Sequence, residues 1–373
     1  MHYTTAGKSR LRCGAPLLSC LLLLSALVLC SCVCTSLPRP AAAEISDEGM
    51  PKRLCADVAR LTLPGPSRRA ANLESLNRAA DYIAQEFGKI SGCRLKEQKF
   101  KVKVDGPDYR NIICSFGPVD GERIIVGAHY DVSDSVKGKA RKVKGEKICP
   151  FGPATYKSVD YQEGDQPGAD DNASGVAGIL ELARMLSNDN TALQRLDKID
   201  RRIDFVAYTL EEPPYFDDAN IGTSNMGSYH HAKCLADRGV PVRLMMSLEM
   251  IGYFSEEYPR CALMNSLCPH KGTYIAVVGK WDQRSVVSRV SDLMAQKGTI
   301  DVVSFAEPSI IPGIWLSDQR SYWWPFGYPA VMVTDMANYR NHNYHETSDT
   351  IDTLDFKSMA GVVEAVYAAM IGY

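Results

Sequence analysis

Residues 123–129 read RIIVGAH, an unbroken apolar run from Ile124 to Ala128 that ends on His129. A run this short and this apolar marks a strand buried on both faces, because a half-exposed strand would alternate. Two later segments repeat the form. Residues 203–210 (IDFVAYTL) lead into Glu211-Glu212, and residues 242–248 (VRLMMSL) lead into Glu249. Helical spacing lies between and around them. Residues 73–89 place Leu76, Ala79, Ala80, Ile83 and Phe87 on one face, and residues 174–187 (SGVAGILELARMLS) form the next helix. Residues 97–103 (EQKFKVK) alternate as a half-buried strand does; strand signals recur at 274–278 and 330–334, helix signals at 282–296 and 356–370. This alternation predicts an α/β fold with a mixed, mostly parallel central sheet and helices on both faces. Ligands of such sheets bind beyond the carboxyl ends of the strands. Three predicted strands end there in ionisable residues.

Buried strands gain nothing from ending in a cluster of carboxylates, which repel one another and push each other's pKa up. A divalent cation resolves the conflict. Zinc accepts imidazole nitrogen and carboxylate oxygen, and a catalytic zinc keeps one position open. The candidates are His129, Asp170-Asp171, Glu211-Glu212, Glu249 and His345. That is more than one ion uses, so two zinc ions are expected, with one possible.

The stretches Gly127-Ala128-His129-Tyr130-Asp131, Gly168-Ala169-Asp170-Asp171-Asn172-Ala173-Ser174-Gly175, Glu211-Glu212, Ser247-Leu248-Glu249-Met250 and Tyr344-His345-Glu346-Thr347-Ser348-Asp349-Thr350 occur in that order. Together they resemble the co-catalytic zinc aminopeptidase family, which includes glutamate carboxypeptidase-like enzymes and glutaminyl cyclases. The resemblance covers roughly residues 60–370 and implies the fold of the zinc-dependent exopeptidases. It implies further that His129 binds one zinc and His345 the other, with Asp171 bridging and Glu212 a terminal ligand. Glu211 matches the general base toward the nucleophilic water. Glu249 stands where the family usually has an aspartate ligand, so its carboxylate reaches one methylene further. Asp131 matches a residue that orients the His129 imidazole through its other nitrogen.

The rest of the chain narrows the setting. Of 373 residues 45% are hydrophobic and 23% charged, a globular profile. The net charge is −2, with no basic excess of the kind that marks nucleic-acid binding. Residues 1–43 hold Lys8, Arg10, Arg12 and Arg39 and no acid, so the remainder carries −6 once those four positives are removed. A basic start, an apolar run over 16–34 and Ala41-Ala42-Ala43 read as a secretory signal cleaved before Glu44. The same run just reaches the length of an uncleaved membrane anchor, and Cys32 offers a loose match to a lipid-attachment site. All three readings place residues 44–373, a single catalytic domain, outside the cytoplasm: periplasmic, secreted or membrane-anchored. Seven cysteines follow residue 43, and Cys261–Cys268 is the expected disulfide.

Other features have plainer readings. His230 and His231 sit side by side on a predicted helix and cannot share a face, so they read as structural. His342 reads as solvated. Gln319 stands where the family often has histidine, and Asp318 beside it matches; neither is taken as a ligand. The aromatic stretch Trp315, Tyr322, Trp323, Trp324, Phe326 reads as core before pocket. Residues 133–166, rich in Lys and Gly, form a long insertion that is either a flap over the site or a surface loop. The expected activity is hydrolysis of peptides at a free N-terminus. The alternatives are glutaminyl cyclisation at a one-zinc site and a non-catalytic binding ectodomain on the same scaffold.

Overall fold

The computed structural model describes residues 35–36, 47, 49–63, 67–134, 136–149, 151, 156–213, 224–257, 271–307 and 313–373. The leader and the Cys261–Cys268 pair lie outside the described residues, apart from residues 35 and 36. No helix among the described residues is long and apolar enough to cross a membrane.

The strands are β1 (Thr35–Ser36), β2 (Arg94–Lys101), β3 (Asp108–Phe116), β4 (Glu122–His129), β5 (Arg141–Val143), β6 (Val159–Tyr161), β7 (Arg201–Tyr208), β8 (Val242–Glu249), β9 (Tyr274–Lys280), β10 (Asp301–Glu307) and β11 (Ala330–Thr334). Eight of them build one mixed sheet, extended at one edge by the two-residue β1, in the order β1-β10-β9-β11-β8-β4-β7-β3-β2. The four central strands β11, β8, β4 and β7 are mutually parallel, and antiparallel pairing begins on either side of them, at β11–β9 and β7–β3. The predicted parallel character is thus concentrated at the centre, where His129 and Glu249 end adjacent strands.

The described residues hold eight α-helices: α1 (Met50–Thr62), α2 (Leu73–Gly88), α3 (Gly175–Ser187), α4 (Asn190–Lys198), α5 (Gly227–Asp237), α6 (Arg284–Lys297), α7 (Gln319–Trp323) and α8 (Phe356–Gly372), and a six-residue π-helical turn, Ala169–Ser174, leads into α3. Side chains alternate across the sheet as the strand period requires. Ile124, Val126, Ala128, Leu244, Met246 and Leu248 face the core shared with α1, α2, α3, α6 and α8. Ile125, Val206, Tyr208 and Met245 face α5 and α7 on the other side. Full burial of each aliphatic side chain contributes about 1.5–3 kcal/mol, so both faces hold the central strands in register. The inserted segment 133–166 contains the β5–β6 hairpin and is tied down near its start and at its middle. Lys137 N–H donates to His345 O at 3.3 Å and Thr347 N–H donates to Lys137 O at 2.9 Å, while Cys149 is disulfide-bonded to Cys55 of α1. A second disulfide joins Cys93 and Cys114.

Gly127 is the weak point of the central strand. A Cβ there would collide with the Tyr208 ring on β7. Gly127→Ala is therefore expected to lower stability by about 1–3 kcal/mol, seen as a fall of several degrees in the thermal midpoint by circular dichroism. An unchanged midpoint would contradict this packing.

Candidate metal centre

Each ligand candidate reaches the carboxyl edge of the sheet from a different element. His129 is the last residue of β4 and Glu249 the last of β8. Glu211 and Glu212 follow β7, Asp171 lies in the turn Ala169–Ser174 ahead of α3, and His345 is on the connection from β11 to α8. Sharp backbone reversals bring them together. Leu210, Met250 and His345 all adopt left-handed φ, at 61°, 55° and 56°, which costs a non-glycine residue roughly 1–3 kcal/mol and collects at functional sites.

The side chains form three overlapping trios: two share Asp171, and the third is His129, Glu211 and Glu212. His129, Asp171 and Glu249 offer ligand atoms within 4.8 Å of one another, and so do Asp171, Glu212 and His345. Asp171 Oδ1 lies 3.3 Å from His129 Nε2, and Oδ2 lies 3.3 Å from His345 Nε2. Glu249 Oε1 is 3.4 Å from His129 Nε2, and Glu212 Oε2 is 3.1 Å from His345 Nε2. Glu211 Oε2 stands 3.9 Å from His129 Nε2, at the edge of the first trio. All six residues named as ligands or base therefore converge.

Their supports are less visible in sequence. His129 Nδ1 lies 3.2 Å from the backbone carbonyl of Asp131 and 3.7 Å from its carboxylate. That carboxylate instead accepts the amides of Glu211 and Glu212, at 3.2 and 3.1 Å. Asp131 thus orients the ring mainly through its main chain and holds the glutamate pair with its side chain. The longer Glu249 is accommodated by Ser317, whose Oγ donates to Oε2 at 2.6 Å and contacts Ser247 Oγ at 2.9 Å. Asn172 Nδ2 donates to Leu248 O at 2.8 Å and stitches the Asp171 turn to β8. His231 pairs with the Tyr322 hydroxyl and His230 stacks on Phe100, as the structural reading requires. Gln319 donates to Ile314 O at 2.9 Å. Asp318 is buried near His129, and burial pushes its pKa up to about 7 against the pull of that histidine.

Packed this closely, these groups shift one another's proton affinities. Burial opposes charge on His129, but Glu249 and Glu211 outweigh it and raise the imidazole well above its usual range. Burial likewise opposes charge on His345, yet Asp171 and Glu212 lift it to about 11. Asp171 is held below the carboxylate range: burial works against this, and the two histidines outweigh it. Glu211 is pushed well above its range by burial, with Glu249 and Glu212 adding to the effect and His129 opposing it. Glu212 rises to about 8 through burial and Asp171. Among the described residues, buried Asp171 Oδ2 makes no hydrogen bond of acceptable geometry. An orphaned carboxylate oxygen facing an imidazole and a second carboxylate is the donor set a zinc ion takes.

A family model, described as Peptidase family M28, matches residues 111–370. The chain belongs to peptidase family M28. A relative from Escherichia coli (strain K12), described as uncharacterized protein YfbL, is 40% identical over 321 residues, covering 85% of this chain and 86% of that protein. A Zn-dependent exopeptidase from Parabacteroides distasonis superposes with a TM-score of 0.59 at 17% identity, covering 89% of this chain and 100% of that one. A glutaminyl cyclase from Bacteroides thetaiotaomicron superposes with a TM-score of 0.57 at 16% identity, covering 89% of this chain and 99% of that one. The α/β fold of this M28 chain is thus that of zinc exopeptidases, and it is shared with cyclases.

Protons and metal compete for this centre with opposite pH dependence. The Glu212 carboxyl, raised from 4.5 to about 8, stabilises the zinc-free fold fully below 4.5, and that stability is lost as pH climbs through about 8. Zinc needs deprotonated ligands, so its binding strengthens over the same window. The thermal midpoint of zinc-free protein should fall between about pH 5 and about pH 8 while the increment given by zinc grows. Glu212→Gln should make the zinc-free profile shallower, the remaining slope coming from Glu211, His129 and His345; a wild-type midpoint flat across that range would contradict the assignment.

Proposed function

We propose that this chain is a two-zinc aminopeptidase in which Glu211 is the general base. The observation that carries the reading is Asp171, whose two oxygens face separate trios, one holding His129 and the other His345. His129 and Glu249 would hold one ion, Glu212 and His345 the other, and Asp171 both. Zinc, when bound, supplies the Lewis acidity that makes water a usable nucleophile at neutral pH and polarises a carbonyl. Glu211 takes the proton of the attacking water on its carboxylate and delivers it to the departing amine. Asp131, through the amides of Glu211 and Glu212, keeps that carboxylate beside His129.

The charge balance favours a free amino terminus. Asp131, Asp171, Glu211, Glu212, Glu249 and Asp318 are all buried at this edge, more negative charge than two divalent ions cancel. An α-ammonium suits that surplus and a terminal carboxylate does not. The disulfides Cys55–Cys149 and Cys93–Cys114 support an oxidising compartment, as the leader suggests.

Zinc-loaded protein incubated with free-amine, N-blocked and N-terminal Gln peptides, read by mass spectrometry, tests the reading. Stepwise loss of N-terminal residues from unblocked peptides alone is expected. Glu211→Gln should retain zinc and lose roughly 10²–10⁴-fold in turnover. Ammonia loss from Gln peptides without cleavage would assign a cyclase instead, and inert peptides with zinc bound would exclude peptides as the substrate class.

A further inference from the structure

Asp171 has to present its two oxygens to two different trios, and its carboxylate meets there the candidate ligands His129 and His345, at 3.3 Å each. Where it stands between them is set by the backbone that carries it. That backbone, from Pro167 to Asp171, is held by two residues far away in sequence. Arg68 donates from Nη1 to Pro167 O at 2.8 Å and from Nη2 to Gly168 O at 3.0 Å. Asp349 takes over for the next three residues. Its main-chain carbonyl accepts the Ala169 amide at 3.2 Å, and its carboxylate accepts the amides of Asp170 and Asp171 at 2.9 and 3.0 Å. Five successive residues are thereby fixed by two side chains and one carbonyl.

The same two residues connect the turn to both histidines. Arg68 Nε donates to Tyr130 O at 2.9 Å, one residue beyond His129, and Asp349 lies four residues beyond His345. Arg68 Nη1 also donates to Leu61 O at 3.0 Å, so the guanidinium joins three segments. A planar fork of donors can do this; an ammonium on a single stem cannot reach four carbonyls at once. Gly168 permits the close approach, because its φ is 60° and a Cβ there would stand 2.9 Å from Arg68 Nη2. Both braces are buried, Arg68 at 3% exposure and Asp349 at 0%. The arrangement matches Asp131, which takes the amides of Glu211 and Glu212 in the same way.

We propose that Arg68 and Asp349 are the positioning residues that make Asp171 a bridging ligand, so that losing either weakens both metal positions together. The inference rests on the two-zinc reading. Zinc titration against a chelator of known affinity, on folded Asp349→Asn and Arg68→Lys proteins, tests it. Asparagine keeps the shape and loses the acceptor for one of the two amides; lysine keeps the charge and loses the fork. Both ions should weaken in parallel, by about 10–100-fold, and excess zinc should restore kcat. Glu249→Gln, run as a control, should weaken one ion only. If Asp349→Asn fails to fold, Arg68→Lys alone decides. Unchanged affinity in a folded variant, or loss of a single ion, would overturn the proposal and leave the two-zinc reading standing. A wild-type chain holding fewer than two ions would overturn both.

Discussion

Four carboxylates and two imidazoles brought to one buried sheet edge cannot all carry their ordinary charges without a counter-ion. The rest of the site follows from that constraint. Burying a carboxylate in a low-dielectric setting costs several kcal/mol unless something compensates it. Among the chain's own groups the conflict shows as shifted proton affinities: burial pushes Glu211 and Glu212 up, and neighbouring carboxylates raise both imidazoles against burial. In the two-zinc reading, a pair of divalent ions would supply that compensation and leave the carboxylates ionised. Asp171 is central because it serves both trios and is held below its usual range by the two histidines.

The sheet makes this convergence feasible. Parallel central strands point their carboxyl ends the same way, so His129 and Glu249 arrive as neighbours without any special loop. The remaining ligands come from connections, which must turn tightly to reach the same edge. Left-handed residues at Leu210, Met250 and His345 make those turns. Pairs of amides are then locked by single carboxylates, Asp131 for Glu211–Glu212 and Asp349 for Asp170–Asp171. Backbone geometry at this edge is set by side chains from other segments.

The hydrophobic period made the central strands legible, because a strand buried on both faces leaves an apolar run and the run stops where the ligands begin. The helix α2 was equally clear from its spacing and is capped at Asn72, whose side chain accepts the Ser75 amide. Helix α1 and strand β10 went unread: charged residues interrupt the first, and DVVSFAE over Asp301–Glu307 is too short and mixed to choose a period. The candidate ligands were legible because their residue types and order are specific. Their supports were not. Arg68 lies in Pro-Ser-Arg-Arg, which reads as a surface loop, and only the convergence of four carbonyls in space reveals its burial. Ser317 likewise carries no signal until Glu249 is seen to need a partner for its second oxygen. The insertion at 133–166 gave no hint that Lys137 would pair with the backbone around His345.

The most direct test of the shared centre is zinc content per chain, measured by mass spectrometry of metals after exhaustive dialysis, for wild type and Asp171→Asn. Two ions in the wild type and neither in the variant is the expected result, because both trios lose their common oxygen donor. A variant that keeps one ion at full occupancy would show that Asp171 belongs to one position only, and the two-zinc bridge would be wrong.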